Sequence, residues 1–329
     1  MTLTQLAKLA GTSVGTVSKA FSGSREISDE TKKRIFETAK QHGCFDKYYK
    51  APRKRPLIAL MPPEPEGEFY GREIGLIEKA FTESGADTII TFTRFDHERQ
   101  EYLFRELAYG LKVDGIVLWG IARPEKNPDQ IPLVIISATK QGGNSDTVTV
   151  DFESGINELA ITLKRYGHSD VGFIGERLTT YKEVILKKAM RKEGIAVHDK
   201  YFVRSRSRFA AAGVEGMKEL IKRNAVPSVI VAGYDQIAYG AMQEAQANGY
   251  RIPEDISFVG MDDITSSQYG EIPLSSLCVD FESVCPKIVE LIYKRIENRY
   301  YRTREKLTIP VKPLIRDSLC DRIKTIPQK

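Results

Sequence analysis

Residues 4–21 read Thr4-Gln-Leu-Ala-Lys-Leu-Ala-Gly-Thr-Ser-Val-Gly-Thr-Val-Ser-Lys-Ala-Phe21, and this stretch decides the fold of the amino-terminal part of the chain. Apolar residues recur at helical spacing on both sides of Gly11, where a left-handed stop costs least, which predicts two short helices. Thr4 is the predicted N-cap of the first helix, and Ser13 caps the second, over Val14–Phe21. Two short helices joined by a glycine-containing turn are typical of a helix-turn-helix, whose second helix enters the major groove of DNA.

A third helix is predicted to follow and to complete a three-helix head over residues 1–45. Ser28 is its predicted cap, acidic residues follow in its first turn, and Gly43 is its predicted stop. Val17 of the second helix is predicted to point inward as part of the core of this head. A small helical module therefore opens the chain.

The charge of the chain is concentrated at this end. Residues 1–55 contain 12 Lys and Arg against 5 Asp and Glu, a net charge of +7, whereas the remainder carries 37 basic and 39 acidic residues. Binding to double-stranded DNA gains much of its free energy from neutralised phosphates, so a localised basic end favours a DNA partner.

At this point the sequence resembles the LacI/GalR (lac-repressor-like) family of bacterial transcription regulators. The resemblance rests on residues 6–19 and on Ser28-Asp-Glu-Thr31. It implies that Val14, Gly15 and Lys19 face base edges and that other polar residues of the second helix contact phosphates. The candidate DNA-binding residues of the head are Thr4, Ser13, Val14, Gly15, Thr16, Ser18, Lys19 and Ser28.

Three of these residues suggest that the second helix reads few bases directly. Lys19 stands where the family usually has arginine, so a flexible point charge replaces a rigid two-pronged donor. Gly15 has no side chain with which to form a hydrogen bond. Val14 either packs against a thymine methyl group or belongs to the core.

The linker, residues 46–56, departs from the family pattern, in which a short hinge helix enters the minor groove and a leucine kinks the DNA. It is shorter, and it contains Pro52, which opposes a helix. Two interpretations are open: a basic arm along the DNA, with Tyr48 or Tyr49 as the wedge, or a flexible tether. The candidate DNA-binding residues of this segment are Lys47, Tyr48, Tyr49, Lys50, Arg53, Lys54 and Arg55.

From Pro56 onward, short apolar runs alternate with amphipathic stretches of helical length, which predicts parallel sheets with helices on both faces. The predicted strands are 57–61, 88–93, 115–119, 133–137, 171–174, 228–232, 256–259 and 307–311. The predicted helices are 74–84, 98–111, 153–166, 183–193, 210–223, 236–248 and 284–299. About 270 residues are too many for one such sheet. The predicted fold class is thus α/β, with two doubly wound subdomains at 57–153 plus 281–306 and at 154–276 plus 307–318.

This body also resembles the effector domain of the family, itself similar to periplasmic sugar-binding proteins, above all through Val150–Gly155 and Ile252–Asp263. The resemblance implies that residues 57–329 bind an effector and dimerise. Open α/β sheets bind ligands beyond the carboxyl ends of their strands, so we expect the effector in the cleft between the subdomains. The candidate effector-binding residues are Phe69, Tyr70, Arg94, Phe95, Trp119, Ser137, Asp151, Lys182, Tyr234, Asp235, Asp262 and Phe281.

Several of these candidates have a second interpretation. Trp119, the single tryptophan, is either a flat face on which a sugar stacks or ordinary packing at the end of a strand. Asp235 is either a ligand contact or the N-cap of the helix that it opens. Lys182 stands where the family often has arginine and Tyr234 replaces an asparagine, so the cleft either takes an unusual effector or has lost ligand binding.

The sequence disfavours enzymes, metalloproteins and exported proteins. Its four histidines show no metal-ligand spacing, and it lacks a phosphate-binding loop, a dinucleotide fingerprint and a nucleophile elbow. Asp262 and Asp263 are adjacent, so we expect them to point in different directions and not to share a proton. Four scattered cysteines and the absence of a signal-peptide core or a long apolar run indicate a soluble, cytoplasmic protein without a cofactor.

Two hypotheses from different classes follow. In the first, a homodimer represses transcription by binding a palindromic operator in double-stranded DNA, and a sugar or sugar derivative bound in the cleft changes its DNA affinity. In the second, the head binds DNA but the body serves only as a scaffold for dimerisation or for docking a partner.

Overall fold

The structure is a computed structural model and describes residues 1–22, 24, 26–48, 55–120, 131–139, 145–298 and 303–325. It divides into two compact units, Met1–Pro56, called the head below, and Leu57–Lys329, called the body. Among the described residues, no helix combines the length and the apolar character needed to cross a lipid bilayer.

The described residues of the head form the helices α1 (Leu3–Leu9), α2 (Val14–Phe21), α3 (Asp29–Gln41) and α4 (Phe45–Tyr48). Their inner faces form one apolar cluster in which Leu6, Val17 and Ile35 are fully buried, which confirms the inward orientation predicted for Val17. α2 begins as predicted, because the Ser13 hydroxyl accepts a hydrogen bond from the Thr16 N–H at 3.0 Å.

The prediction that Thr4 caps α1 is wrong, since the N-cap is Thr2. The Thr2 hydroxyl accepts a hydrogen bond from the Gln5 N–H, and the Thr2 N–H donates to Gln5 Oε1 at 2.8 Å. This reciprocal capping box satisfies two backbone donors that a cap at Thr4 would leave without partners. It also makes Leu3, which packs against the core of the head, the first residue of the helix.

The body alternates strands and helices along the chain. Its strands are β1 (Leu57–Met61), β2 (Asp87–Ile90), β3 (Gly115–Trp119), β4 (Leu133–Ser137), β5 (Asp146–Asp151), β6 (Val171–Gly175), β7 (Phe202–Arg204), β8 (Val229–Ala232), β9 (Ser257–Asp262), β10 (Ser275–Val279) and β11 (Lys306–Leu314). Its α-helices are α5 (Glu68–Glu83), α6 (His97–Arg105), α7 (Phe152–Arg165), α8 (Thr180–Glu193), α9 (Phe209–Lys222), α10 (Asp235–Ala247), α11 (Cys285–Glu297) and α12 (Arg322–Thr325). A π-helix at Glu106–Leu111 continues α6, where the sequence predicted one uninterrupted helix.

The strands join in the order β2-β1-β3-β4-β5-β11-β10-β9-β8-β6-β7, and the pairs are parallel apart from the antiparallel pair β10–β11. β11 belongs to both halves of this array. Its residues 306–310 pair with β5, and its residues 311–314 pair with β10. Residues 307–318 are predicted to belong to the second subdomain, whereas 307–310 pair with the first half; the other subdomain bounds stay predictions.

Three strands of the body, β5, β7 and β10, were not predicted, and polar residues explain two of the omissions. In β5, Asp146 is buried because Arg295 donates to both of its carboxylate oxygens at 2.6 Å. In β10, Ser275 and Ser276 are buried through hydrogen bonds to partners distant in sequence. Because such partners are not visible in a local pattern, a search for apolar runs passes over these strands.

Candidate functional site

The outer face of α2 is the first candidate site. Val14, Gly15, Ser18 and Lys19 are exposed on it, while Thr16 is half-buried and its hydroxyl lies 2.8 Å from that of Ser13. A Cβ atom built on Gly15 meets nothing nearer than the Ser13 hydroxyl at 3.7 Å. Packing within the head therefore gives no reason for a glycine at this position, and Val14 does not belong to the core.

Lys19, which is predicted to face base edges, has an ion-pair partner that the sequence did not indicate. Lys19 Nζ lies 2.5 Å from Glu26 Oε2, and both side chains are more than half exposed. Exposed ion pairs contribute little to stability, so a phosphate or a base can replace Glu26 at low cost. Thr4 is exposed on α1, and Ser28 caps α3 by accepting a hydrogen bond from the Thr31 N–H.

The start of the predicted basic arm lies within the head. The Tyr48 hydroxyl donates to the Met1 carbonyl at 2.6 Å, and its ring centroid lies 5.8 Å from that of Phe21. Lys47 also donates to the Met1 carbonyl. The ring of Tyr48 thus packs on the head in this structure, and the assignment of Tyr48 or Tyr49 as the wedge stays a prediction. Arg55 is half-buried; Tyr49, Lys50, Arg53 and Lys54 lie outside the described residues.

The second candidate site lies in the body, where the carboxyl ends of β1–β3 meet those of β6–β9. Three side chains from the first half form an aromatic group, with ring centroids 5.2 Å apart for Phe69 and Tyr70 and 6.3 Å apart for Tyr70 and Phe95. Arg94 and Phe95 both have positive φ angles, near +59° and +57°, which non-glycine residues rarely adopt. Arg94 forms an ion pair with Glu66 at 2.8 Å.

Trp119 and Glu73 form a buried pair at the end of β3. The indole N–H of Trp119 donates to Glu73 Oε2 at 2.7 Å, and Phe281 packs beside the indole with a ring-centroid distance of 6.2 Å. Trp119 is only 5% exposed, so its faces serve as packing surfaces in this arrangement. Burial raises the pKa of Glu73 to about 8, although the hydrogen bond from Trp119 opposes the shift.

Lys182 and Asp262 form the main ion pair of the second half. Lys182 Nζ lies 3.0 Å from Asp262 Oδ1, also donates to the Gly233 carbonyl at 2.9 Å, and lies over the Phe152 ring. The neighbouring Asp263 instead accepts a hydrogen bond from Arg316 at 2.6 Å. The two aspartates have separate cationic partners, as expected if they share no proton.

Asp235 is a structural residue rather than an N-cap. The cap position of α10 is Tyr234, whose hydroxyl accepts a hydrogen bond from the Phe209 N–H at 2.9 Å. The carboxylate of Asp235 is almost fully buried, and it accepts hydrogen bonds from the Ser276 hydroxyl at 2.6 Å, the Ser267 hydroxyl at 2.7 Å and the Ile264 N–H at 2.9 Å. The prediction of an N-cap is therefore wrong, because the aspartate lies one residue inside the helix.

Two further candidates are engaged locally. Asp151 caps α7 by accepting a hydrogen bond from the Ser154 N–H at 3.1 Å. Ser137, at the end of β4, is buried and accepts a hydrogen bond from the Thr139 N–H at 3.2 Å. Both lie at the carboxyl edge of the first half.

Sequence reasoning missed the residues that connect the two halves. Arg208, which follows β7, forms a two-pronged ion pair with Glu64, which follows β1, at 2.6 and 2.7 Å. The guanidinium also lies over the rings of Phe95 and Phe209. Arg72 donates to the Asp263 carbonyl, and the Ser266 N–H donates to Glu68. No sequence motif marks these residues, since each becomes meaningful only through a partner about 140 to 200 positions away.

Within the described ranges, no group of three or more His, Cys, Asp or Glu residues is arranged to hold a metal ion. The arrangement instead offers hydrogen-bond acceptors, paired cations and aromatic rings. Such a lining suits a small polar molecule with flat apolar faces.

Comparisons with known proteins match both units. Residues 2–44 match the family described as "Bacterial regulatory proteins, lacI family", and residues 160–319 match the "Periplasmic binding protein-like domain". The HTH-type transcriptional regulator DegA of Bacillus subtilis (strain 168) is 29% identical over 291 residues, which cover 84% of this chain and 86% of DegA. The ribose operon repressor of Haemophilus influenzae is 28% identical over 318 residues, which cover 92% of this chain and 94% of the repressor.

Two solved structures share the fold. The lac repressor dimer bound to operator and the anti-inducer ONPF is 19% identical, with a TM-score of 0.70, and the match covers 97% of this chain and 99% of that one. The transcriptional regulator CelR–cellobiose complex is 24% identical, with a TM-score of 0.69 and the same coverage. At these identities the likeness establishes the α/β fold predicted from the sequence.

Proposed function

Because this chain belongs to the LacI family of bacterial regulatory proteins, we propose that it acts as a dimeric repressor that binds a palindromic operator and responds to a sugar or sugar derivative. The family and the named relatives are transcription regulators, so the chain is a DNA-binding regulator and not an enzyme. The operator symmetry, the dimer and the sugar are the parts that we propose.

The observation that carries the proposal is the division of α2 into two faces. Val17 and Phe21 are buried against the other helices, whereas Val14, Gly15 and Lys19 are exposed together. An exposed face with one cation, one small apolar side chain and one glycine suits contacts with base edges in a major groove. The concentration of positive charge at this end of the chain supplies attraction to phosphates.

The proposal of a sugar effector is supported by the lining of the cleft in the body. Carboxylates and cations there alternate with the rings of Tyr70, Phe95 and Phe209, which provide the hydrogen bonds and flat faces that sugars use. The scaffold function is a second candidate, favoured by the Glu64–Arg208 ion pair, which connects the two halves through the chain's own side chains.

The test selects operators for the full-length protein from random DNA duplexes and measures affinity by fluorescence anisotropy at several salt concentrations. We expect an inverted repeat that binds two chains, with affinity falling steeply as salt rises. Lys19→Ala should reduce the preference for the selected site at one position in each half, while Lys33→Ala, on the exposed side of α3, is the matched control. Equal affinity for selected and random duplexes would contradict the proposal.

A further inference from the structure

Three buried side-chain atoms have no hydrogen-bond partner among the described residues, and all three belong to the cleft: Glu73 Oε1, Glu176 Oε1 and Arg208 Nε. Glu73 and Glu176 are 2% and 3% exposed, respectively. Buried polar atoms are nearly always hydrogen-bonded in native proteins. Their clustering in one place therefore points to a partner outside the chain.

The other atoms of these side chains are held firmly. Glu73 Oε2 accepts the hydrogen bond from Trp119, and Glu176 Oε2 accepts one from the Leu178 N–H at 2.8 Å. Arg208 is fixed by its two bonds to Glu64. Each side chain thus keeps one buried polar atom unused while its other polar atoms are fixed by hydrogen bonds.

The three side chains share one electrostatic environment. Burial raises the pKa of Tyr70, and the charges of Glu73 and Glu64 add to the effect while that of Arg208 opposes it. Hydrogen bonding to Glu64 raises the pKa of Arg208, and the charge of Glu176 adds to it. These carboxylates and this guanidinium therefore lie within electrostatic reach of one another.

Some charged side chains of the cleft have an ion-pair partner, and others have none. Lys182 is paired with Asp262, Arg208 with Glu64, and Arg316 with Asp263. Glu73 and Glu176 have no ion-pair partner within the described ranges. A ligand entering here meets the unmatched carboxylate of Glu176, the carboxyl group of Glu73, which retains its proton near neutral pH, and cations that are already paired, so an added negative charge would be repelled and desolvated without compensation.

We infer that the cleft binds a neutral or positively charged polyhydroxyl ligand, whose O–H or N–H groups donate to Glu176 Oε1 and whose oxygens accept from the protonated Glu73 carboxyl group and from Arg208 Nε, and that it rejects phosphorylated sugars. This inference rests on the proposed function, which supplies the sugar-like size of the ligand. It adds the charge class and names three residues that the family resemblance did not assign.

The experiment compares three forms of the same ring: D-glucose, D-glucosamine and D-glucose 6-phosphate, together with the corresponding galactose and mannose sets. Thermal stability and the fluorescence of Trp119, which donates to Glu73, are measured on the full chain. For at least one ring we expect the neutral or amino form to stabilise the protein and to change the fluorescence saturably, with the phosphate binding at least tenfold more weakly. Equal or tighter binding of a phosphate, or no response to any of the nine compounds, would overturn the inference.

Variants test which residues make the cleft prefer the unphosphorylated sugar over the phosphorylated one. Glu176→Gln removes a negative charge and keeps the shape, so it should reduce the preference over the phosphate at least threefold. Glu73→Gln replaces a carboxyl group whose pKa of about 8 keeps it largely protonated at pH 7, so it should reduce the preference less. Glu158→Gln, on the exposed side of α7, is the matched control and should leave the preference unchanged. Unchanged discrimination in both cleft variants would also overturn the inference. DNA binding on the same samples tests the proposed function separately, since it does not depend on which sugar binds.

Discussion

The head and the cleft of the body are built by different means. In the head, short-range rules suffice: serine and threonine caps begin the helices, and the positive φ angles fall on Gly11 and Gly43. In the cleft, positive φ angles fall on Gly67 and also on five non-glycine residues, Arg94, Phe95, Phe209, Asp262 and Asp263. Two ion pairs there, Lys182–Asp262 and Arg208–Glu64, join residues that are distant in sequence. Strain and buried charge mark the cleft as a site whose geometry is held in place by the rest of the fold.

The comparison can be tested because the two units have separate reporters. Trp119 is the only tryptophan of the chain and lies in the body, so its fluorescence follows unfolding of the body. The affinity for DNA reports on the folding of the head.

The largest effect is expected from Asp235→Ala. The change leaves the Ile264 N–H and the hydroxyls of Ser267 and Ser276 without their acceptor inside the body. Losing three buried hydrogen bonds should lower the free energy of unfolding of the body by about 3–5 kcal/mol. Denaturant titration followed by Trp119 fluorescence measures this. Asp235→Asn keeps one acceptor oxygen and should lose less stability than the alanine variant. An unchanged denaturation midpoint in Asp235→Ala would disprove the structural role of Asp235.

Val17→Ala should produce the corresponding effect in the head. The side chain is fully buried between α1 and α3, so the truncation should cost about 2 kcal/mol of head stability. DNA affinity should fall while the Trp119 transition stays at the wild-type midpoint. Val14→Ala, on the exposed face of α2, is the control and should change affinity with little change in stability. A shifted Trp119 transition would show that the units do not unfold separately.

A smaller effect is expected from the pH dependence of the body. Burial raises the pKa of Glu73 from its ordinary value near 4.5 to about 8, so the folded body holds this proton more tightly than the unfolded chain does. The resulting stabilisation is complete below pH 4.5 and is lost as the pH rises through 8. Between pH 5.5 and 8.5, we expect wild-type stability to fall by at least about 1 kcal/mol relative to Glu73→Gln, the equivalent of about one pKa unit. Parallel pH profiles for the two proteins would contradict the assignment.

The smallest change in stability is expected from Gly15→Ala. A Cβ atom fits without a clash, and alanine is favoured over glycine inside a helix, so the head should gain about 0.5–1 kcal/mol. DNA affinity should nevertheless fall, because the added methyl group lies on the exposed face of α2. Gly71→Ala in α5, where a Cβ atom also meets nothing within 4 Å, is the control and should stabilise the body without affecting DNA binding. Unchanged affinity would mean that this position does not approach DNA.

The same contrast explains what could be predicted from the sequence. The bounds of α2, β1, β3 and β4 were predicted to the residue, because caps and apolar runs are local signals. Thr2 was missed because the alternative cap at Thr4 fits the apolar spacing nearly as well.

In the cleft, the type of a residue alone was not enough to predict its role. Trp119 and Asp235 were identified as candidates, but their partners Glu73 and Ser276 came from distant elements, and those partners determine what each residue does. No motif in the sequence marks Arg208 and Glu64 as residues that connect the two halves. A polar residue reveals its role only when the fold brings its counterpart within hydrogen-bonding distance.

Strand β11 pairs with both halves of the body and therefore affects how one half can move relative to the other. Its pairing changes from parallel with β5 to antiparallel with β10 between Pro310 and Val311, and proline has no N–H with which to close a ladder hydrogen bond at that point. Sliding the two halves past each other would break the ladder on one side of this junction, whereas a rotation about it keeps both ladders intact. We therefore expect a rotation of the two halves about the Pro310–Val311 junction to disturb the two ladders less than a slide of one half past the other.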